Sequence, residues 1–161
     1  VRSTLRAKSL RWAPRTKALE LARRKYRGSV KQQKWEYLCA ICGGWFKLKD
    51  VAVDHYPTPA GSILSVNDIG KFVDNLYCET DNLRVLCHDD HAVWTYSEKL
   101  GISFEQASFE KEVIRICKLP TKEVLDYCQS FGYNTEELSN AAKRKKIVRI
   151  ILEEKSLRFP E

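Results

Sequence analysis

The stretch Asn82-Leu83-Arg84-Val85-Leu86-Cys87-His88-Asp89-Asp90-His91, preceded by Cys39-Ala40-Ile41-Cys42 and Val53-Asp54-His55, decides how this chain reads. A Cys-x-x-Cys pair or an Asp-His dipeptide alone says little. Here the segments follow one another in one chain, and together they hold all three of its histidines. The sequence around them predicts short elements. Lys47 to His55 reads as a strand approach in which Val51, Val53 and His55 alternate. Pro57, Pro59, Gly61 and Ser62 punctuate a loop. Helices are expected over about 67–76 and over 88–100, the second stopped by Gly101.

Upstream, Pro14 sits where the first turn of a helix tolerates proline. Ala18, Leu19, Leu21, Ala22 and Tyr26 follow at roughly helical spacing, which predicts a basic amphipathic helix over about 14–27. Ser29 to Lys34 reads as a linker, and from Trp35 aromatic, cysteine and glycine residues cluster. Downstream, 102–161 reads as helical. One helix is expected from Phe104 to Cys117, and a second with Thr121 as its N-cap and Gly132 at its end. A last one, capped by Ser139 or Asn140, carries Ile147, Val148, Ile150, Ile151 and Leu152. The expected organisation is a basic N-terminal arm or helix (1–34), a core (35–101) and a helical module (102–161).

At 161 residues, 43% hydrophobic and 30% charged, the chain has a globular composition. Nothing in it reaches the length of a membrane span, and no apolar core follows the basic N-terminal residues as a secretory signal requires. The expectation is an intracellular protein of a bacterial cytoplasm, without a membrane partner or small-molecule cofactor. Its six cysteines then read as reduced ligands and core residues rather than a disulfide framework.

The net charge of +7 is lopsided. Residues 1–34 carry Arg11, Arg15, Arg23, Arg24 and Lys25 among many cations, against the single acid Glu20, whereas the middle of the chain is acidic. A second basic run, Lys143, Arg144, Lys145 and Lys146, opens the last helix, where cations oppose the macrodipole and need another reason to be present. Phosphate groups of DNA supply one, because each neutralised phosphate releases counterions. The blander reading is a solvated helix face.

The three motifs resemble the HNH, or ββα-metal, endonuclease family. In it a Cys-x-x-Cys knuckle precedes a strand ending in Asp-His, and a downstream Asn-x4-Cys-x-x-Cys-His opens a helix. The resemblance covers about 39–95. It implies an α+β fold with a small ββα-metal core and a zinc knuckle, flanked here by a basic helix and a helical module. It also implies an active site of Asp54, His55, Asn82 and His91.

In such a site a neutral imidazole near pKa 6.5 suits the general base, and His55 is the candidate. Asp54 and His91 would hold the divalent cation that neutralises charge growing on the phosphoryl and leaving oxygens. Their donor set admits Mg²⁺, Mn²⁺, Ni²⁺ or Zn²⁺, with Mg²⁺ favoured by availability. Asn82 would brace the loop holding His55.

A structural zinc site wants four ligands, and here the chain departs from the family. Cys39, Cys42 and Cys87 are in place, but Asp90 stands where the fourth cysteine belongs. Asp90, a water or His88 could complete the site, or it could stay empty. Cys78, Cys117 and Cys128 lie among apolar residues and read as core.

Residues 68–91 are similar to small HNH proteins encoded by bacteriophages, and the tail resembles a SAP-type helical hairpin, a module that binds DNA backbone. The implied function is a metal-dependent DNA endonuclease, nicking or cutting both strands, as a monomer or homodimer. The alternative is a non-catalytic DNA-binding or assembly protein that keeps the fold.

Overall fold

The computed structural model describes residues 2–56 and 66–158, so the loop expected at Pro57, Pro59, Gly61 and Ser62 lies outside the described residues. The fold is mixed α and β with small antiparallel sheets. The chain divides into two compact units, 1–92 and 93–161.

The first unit opens with α1 (Arg2–Ser9) and α2 (Ala13–Leu21). Pro14 lies in the first turn of α2 as expected, but the helix ends six residues short of 27. Residues Arg23–Lys25 instead form β1, which pairs antiparallel with β2 (Trp35–Leu38), and β2 pairs in turn with β3 (Trp45–Phe46). Strand alternation turns Arg24 inward, where its guanidinium meets the buried Glu36 at 2.6 Å and stacks over Trp45, while Arg23 and Lys25 stay exposed. Extending α2 would forfeit that ladder and leave Glu36 buried without its cation.

The expected linker 29–34 is thereby the closing loop of a hairpin, tied by Tyr26 N–H to the Lys34 carbonyl at 3.1 Å. The stretch expected as an arm is built into the unit rather than projecting from it. Ala18 is buried with Tyr37, Val51, Val53, Leu83 and Val85, and the Tyr77 hydroxyl donates to the Leu5 carbonyl.

A 3-10 turn (Leu48–Asp50) leads into β4 (Val51–His55), followed by α3 (Val66–Leu76), a second 3-10 turn (Thr80–Asn82) and β5 (Leu83–Cys87). β4 and β5 pair antiparallel, and α4 (His88–Leu100) starts at the next residue and ends before Gly101. The buried Val53, Val85 and Leu86 are the apolar reason for this hairpin, each contributing about 1.5–3 kcal/mol by leaving water.

The second unit packs α5 (Phe104–Cys117), α6 (Thr121–Gln129) and α7 (Ala141–Arg158) around Val113, Ile116, Val124, Cys128, Leu138, Val148 and Ile151. Ser103 and Gln106 form a reciprocal capping box on α5, and Asn140 Oδ1 caps α7 by accepting from Lys143 N–H at 2.9 Å. Thr121 is the first helical residue of α6 rather than its cap, since Pro120 occupies the cap position. That helix closes at Ser130, before Gly132. Cys128 is fully buried, and Cys117 and Cys78 pack against the two cores. No helix among the described residues is long and apolar enough to cross a membrane.

Candidate metal centre

The β4–β5 hairpin runs from Val51 opposite Cys87 at one end to His55 opposite Leu83 at the other, with Asp54 facing Arg84. Cysteines gather at the first end. The turn after β2 folds back through Cys39 N–H to the Gly44 carbonyl at 2.9 Å and Gly43 N–H to the Cys39 carbonyl at 3.0 Å. Gly43 takes φ +67°, a conformation glycine adopts at little cost. The Ala40 N–H then ties the knuckle to the Val85 carbonyl on β5.

This brings the sulfurs of Cys39, Cys42 and Cys87 and a carboxylate oxygen of Asp90 within 4.8 Å of one another. Four donors bound to one ion at about 2.3 Å in a tetrahedron would sit roughly 3.8 Å apart, so these residues could hold a metal with little movement. The Cys39 and Cys87 thiols both donate to Asp90 Oδ2, at 3.0 and 3.2 Å. The sulfurs in turn accept backbone bonds, Cys87 N–H to Cys39 Sγ at 3.3 Å and Asp90 N–H to Cys87 Sγ at 3.4 Å.

Burial, with the Asp90 carboxylate beside it, pushes the Cys87 thiol up to about 12 and raises Cys42 as well. Partial burial pushes the Asp90 carboxyl up too, but bonds from the three thiols outweigh it and hold the group below its usual range. Burial thus favours the protonated form of Cys87 and Cys42 beside one carboxylate. His88 takes no part. Its Nε2 lies 2.8 Å from the Lys49 carbonyl, so the alternative of His88 as fourth ligand is set aside by the direction of its ring.

At the other end, Asp54 is buried and binds Arg84 through Oδ2 alone, receiving Nε at 3.1 Å and Nη2 at 3.0 Å. Its second oxygen, Oδ1, faces His91 Nε2 at 3.6 Å. That gap is too long for a hydrogen bond and shorter than two metal–ligand bonds of about 2.1 Å, so one ion fits between the two atoms. His91 is the neighbour of Asp90 on the first turn of α4, and the helix turn of about 100° between successive residues lets one face the thiols and the other Asp54.

His55 is half-buried, and its Nε2 lies 3.0 Å from the Leu76 carbonyl. A carbonyl only accepts, so the proton of the neutral ring sits on Nε2 and the lone pair on Nδ1. Burial lowers the pKa of His55 below its ordinary value, with the Arg15 and Arg6 charges adding to the effect against the Leu76 bond and the Asp54 charge. Asn82 is exposed, and its backbone carbonyl accepts from Tyr56 N–H at 2.8 Å, which ties down the residue after His55.

The structure thus brings Asp54 and His91 together with Asn82 and His55 on the same hairpin end. It adds Arg84, a residue the sequence reading passed over. No local pattern announced it, because alternation along Leu83–Cys87 assigns Arg84 a face of β5 but not its partner, and the pairing with Asp54 is set by strand register.

The candidate phosphate-binding residues divide. Arg11, Arg23, Lys25, Lys143, Lys145 and Lys146 are exposed. Arg24 is committed to Glu36. Arg15 is half-buried with its charge toward Cys78 and Asp54, and Arg144 donates to the Leu138 carbonyl at 3.0 Å. Comparisons with protein-family models, curated proteins and solved structures find no match to this chain.

Proposed function

We propose that this chain is a metal-dependent DNA endonuclease of the HNH kind, hydrolysing phosphodiester bonds with His55 as general base and a divalent ion held by Asp54 and His91. The observation that carries the reading is the approach of Asp54 Oδ1 and His91 Nε2 to 3.6 Å, one residue away from a histidine kept neutral by burial. The order β4, β5, α4 beside a thiol cluster supports it, being the arrangement the ββα-metal resemblance implies.

His55 would take a proton from the attacking water through Nδ1, while the Leu76 carbonyl holds the ring in that tautomer. Asn82 is a positioning residue whose carbonyl fixes the backbone beyond His55. Mg²⁺ or a similar ion, when bound, stabilises negative charge on the phosphoryl and leaving oxygens. Three thiolates and a carboxylate suit Zn²⁺ at the other cluster, where its task would be structural. Exposed Arg11, Arg23 and Lys25 on the first unit, and Lys143, Lys145 and Lys146 on the second, would contact DNA phosphates. The products would carry 5′-phosphate and 3′-hydroxyl ends.

One observation favours the rival reading, a DNA-binding protein without catalysis: Arg84 already neutralises Asp54 and so weakens its pull on a second cation. Supercoiled plasmid separates the two. With Mg²⁺ or Mn²⁺ the protein should convert it to the nicked form and the His55→Ala variant should not; DNA binding without cleavage under either ion would leave the rival standing.

A further inference from the structure

We infer that the hairpin loop ahead of β2 and the turn ahead of β4 form a second nucleic-acid site, a groove that holds an unpaired base of a DNA strand against Trp35. The groove is open, about 410 Å³, and lined by Gln33, Lys34, Trp35, Tyr37, Lys47 and Lys49 among others. Its chemistry suits an unpaired nucleotide: aromatic surface for a base, and exposed cations in the same lining for the backbone.

Trp35 is 37% exposed although it lies in a strand, and Arg23 stacks over its ring at 4.5 Å. A guanidinium on an indole is a cation–π pair, and it holds the ring as a fixed platform. Tyr37, two residues on and so on the same face of β2, is buried and supplies the floor.

Lys34, Lys47 and Lys49 are exposed around this surface, and no carboxylate pairs with them among the described residues. Paired and stacked bases hide the stacking face, so the groove selects an unpaired nucleotide over a duplex. The turn Leu48–Asp50 leads directly from this groove into β4, whose other end carries Asp54 and His55.

The site concerns binding and stands whether or not the histidine end of the hairpin cuts DNA. It is tested by fluorescence anisotropy without added divalent metal, using three short labelled probes: an oligo(dC) strand, the same strand with abasic sites, and a fully paired duplex. The oligo(dC) should bind about tenfold more tightly than its abasic counterpart, and Trp35→Leu should abolish that difference while leaving affinity for the abasic strand unchanged. Lys47→Gln should weaken both single strands alike. Because Trp35 is part of a sheet, Trp35→Phe serves as a second variant, keeping an aromatic ring and at least half of the preference in free-energy terms. Equal affinity of the parent protein for base-containing and abasic strands would overturn the proposal. So would a Trp35→Leu protein that folds and keeps the tenfold preference, or a duplex whose affinity falls as much as that of oligo(dC) on Trp35→Leu. An RNA strand of matching sequence bound more tightly than oligo(dC) would overturn the assignment to DNA.

Discussion

The two ends of the β4–β5 hairpin carry acidic groups in contrasting surroundings. At the Asp54 end the carboxylate has its counter-ion, since Arg84 takes one oxygen with two donors and only the other faces His91. At the Cys87 end no ion pair balances Asp90 among the described residues; its Oδ2 accepts from the Cys39 and Cys87 thiols, and burial pushes the Cys87 thiol up. The difference teaches what each end asks of a metal. The thiol cluster gathers four donors about one point, so an ion bound there would add directly to folding free energy. The Asp54 carboxylate already has a cationic partner, so an ion binding there would gain less and exchange more readily.

The largest expected effect breaks the first half of that contrast. Stripping metal with a chelator, or replacing the buried Cys39 by Ala, should abolish cooperative unfolding of the first unit or cost it several kcal/mol, read by thermal denaturation and metal analysis. Metal uptake must displace thiol protons, so apparent affinity should climb steeply with pH. An unchanged melting profile after chelation would remove the structural role of the cluster. Asp90→Ala should lower metal retention while leaving His88 on the Lys49 carbonyl; full stoichiometry in that variant would count against Asp90 as a ligand.

On the other end, His55→Ala should lower cleavage by about 10²–10⁴ with little change in melting temperature, because the ring is only half-buried. Asp54→Ala should also abolish cleavage, and it should destabilise by about 2–4 kcal/mol because Arg84 is left mostly buried without its carboxylate. A variant equally stable to the parent would mean that Arg84 finds another partner.

A smaller effect is the acid limb of the rate profile. His55 acts neutral and burial lowers its folded pKa below the ordinary 6.5, so the acid limb of the rate should be centred below 6.5. The stability term has the same sign. It is complete above 6.5 and lost as pH falls through the folded value, because the unfolded chain takes up the proton first. A limb centred above 6.5 would contradict the burial argument. The smallest effect belongs to the second unit. Asn140→Ala should cost α7 about 1 kcal/mol by losing its cap, with metal content and cleavage unaltered.

The helices were the most legible part of the fold. Residues 88–100 and 104–117 read as helices from spacing and stop signals, and α4 and α5 occupy those ranges. Local chemistry was enough there, because caps and breakers act within one turn. The reading failed where partners are distant. Arg23–Lys25 continue a helical pattern in sequence, yet pairing with Trp35–Tyr37 made them a strand. The segment read as a linker closes that hairpin and, with Trp35, walls a groove that no motif announced.

What the sequence by itself determined is the order of candidate donors: two cysteines, an Asp-His pair, then Cys87 and, on the helix that follows, His88, Asp90 and His91. The tertiary structure decided the rest. It turned Asp90 rather than His88 toward the thiols, set Arg84 against Asp54 and faced Asp54 toward His91. Those outcomes depend on strand register and on where a helix docks. Both are fixed by contacts between residues far apart in the chain, which periodicity and spacing do not encode.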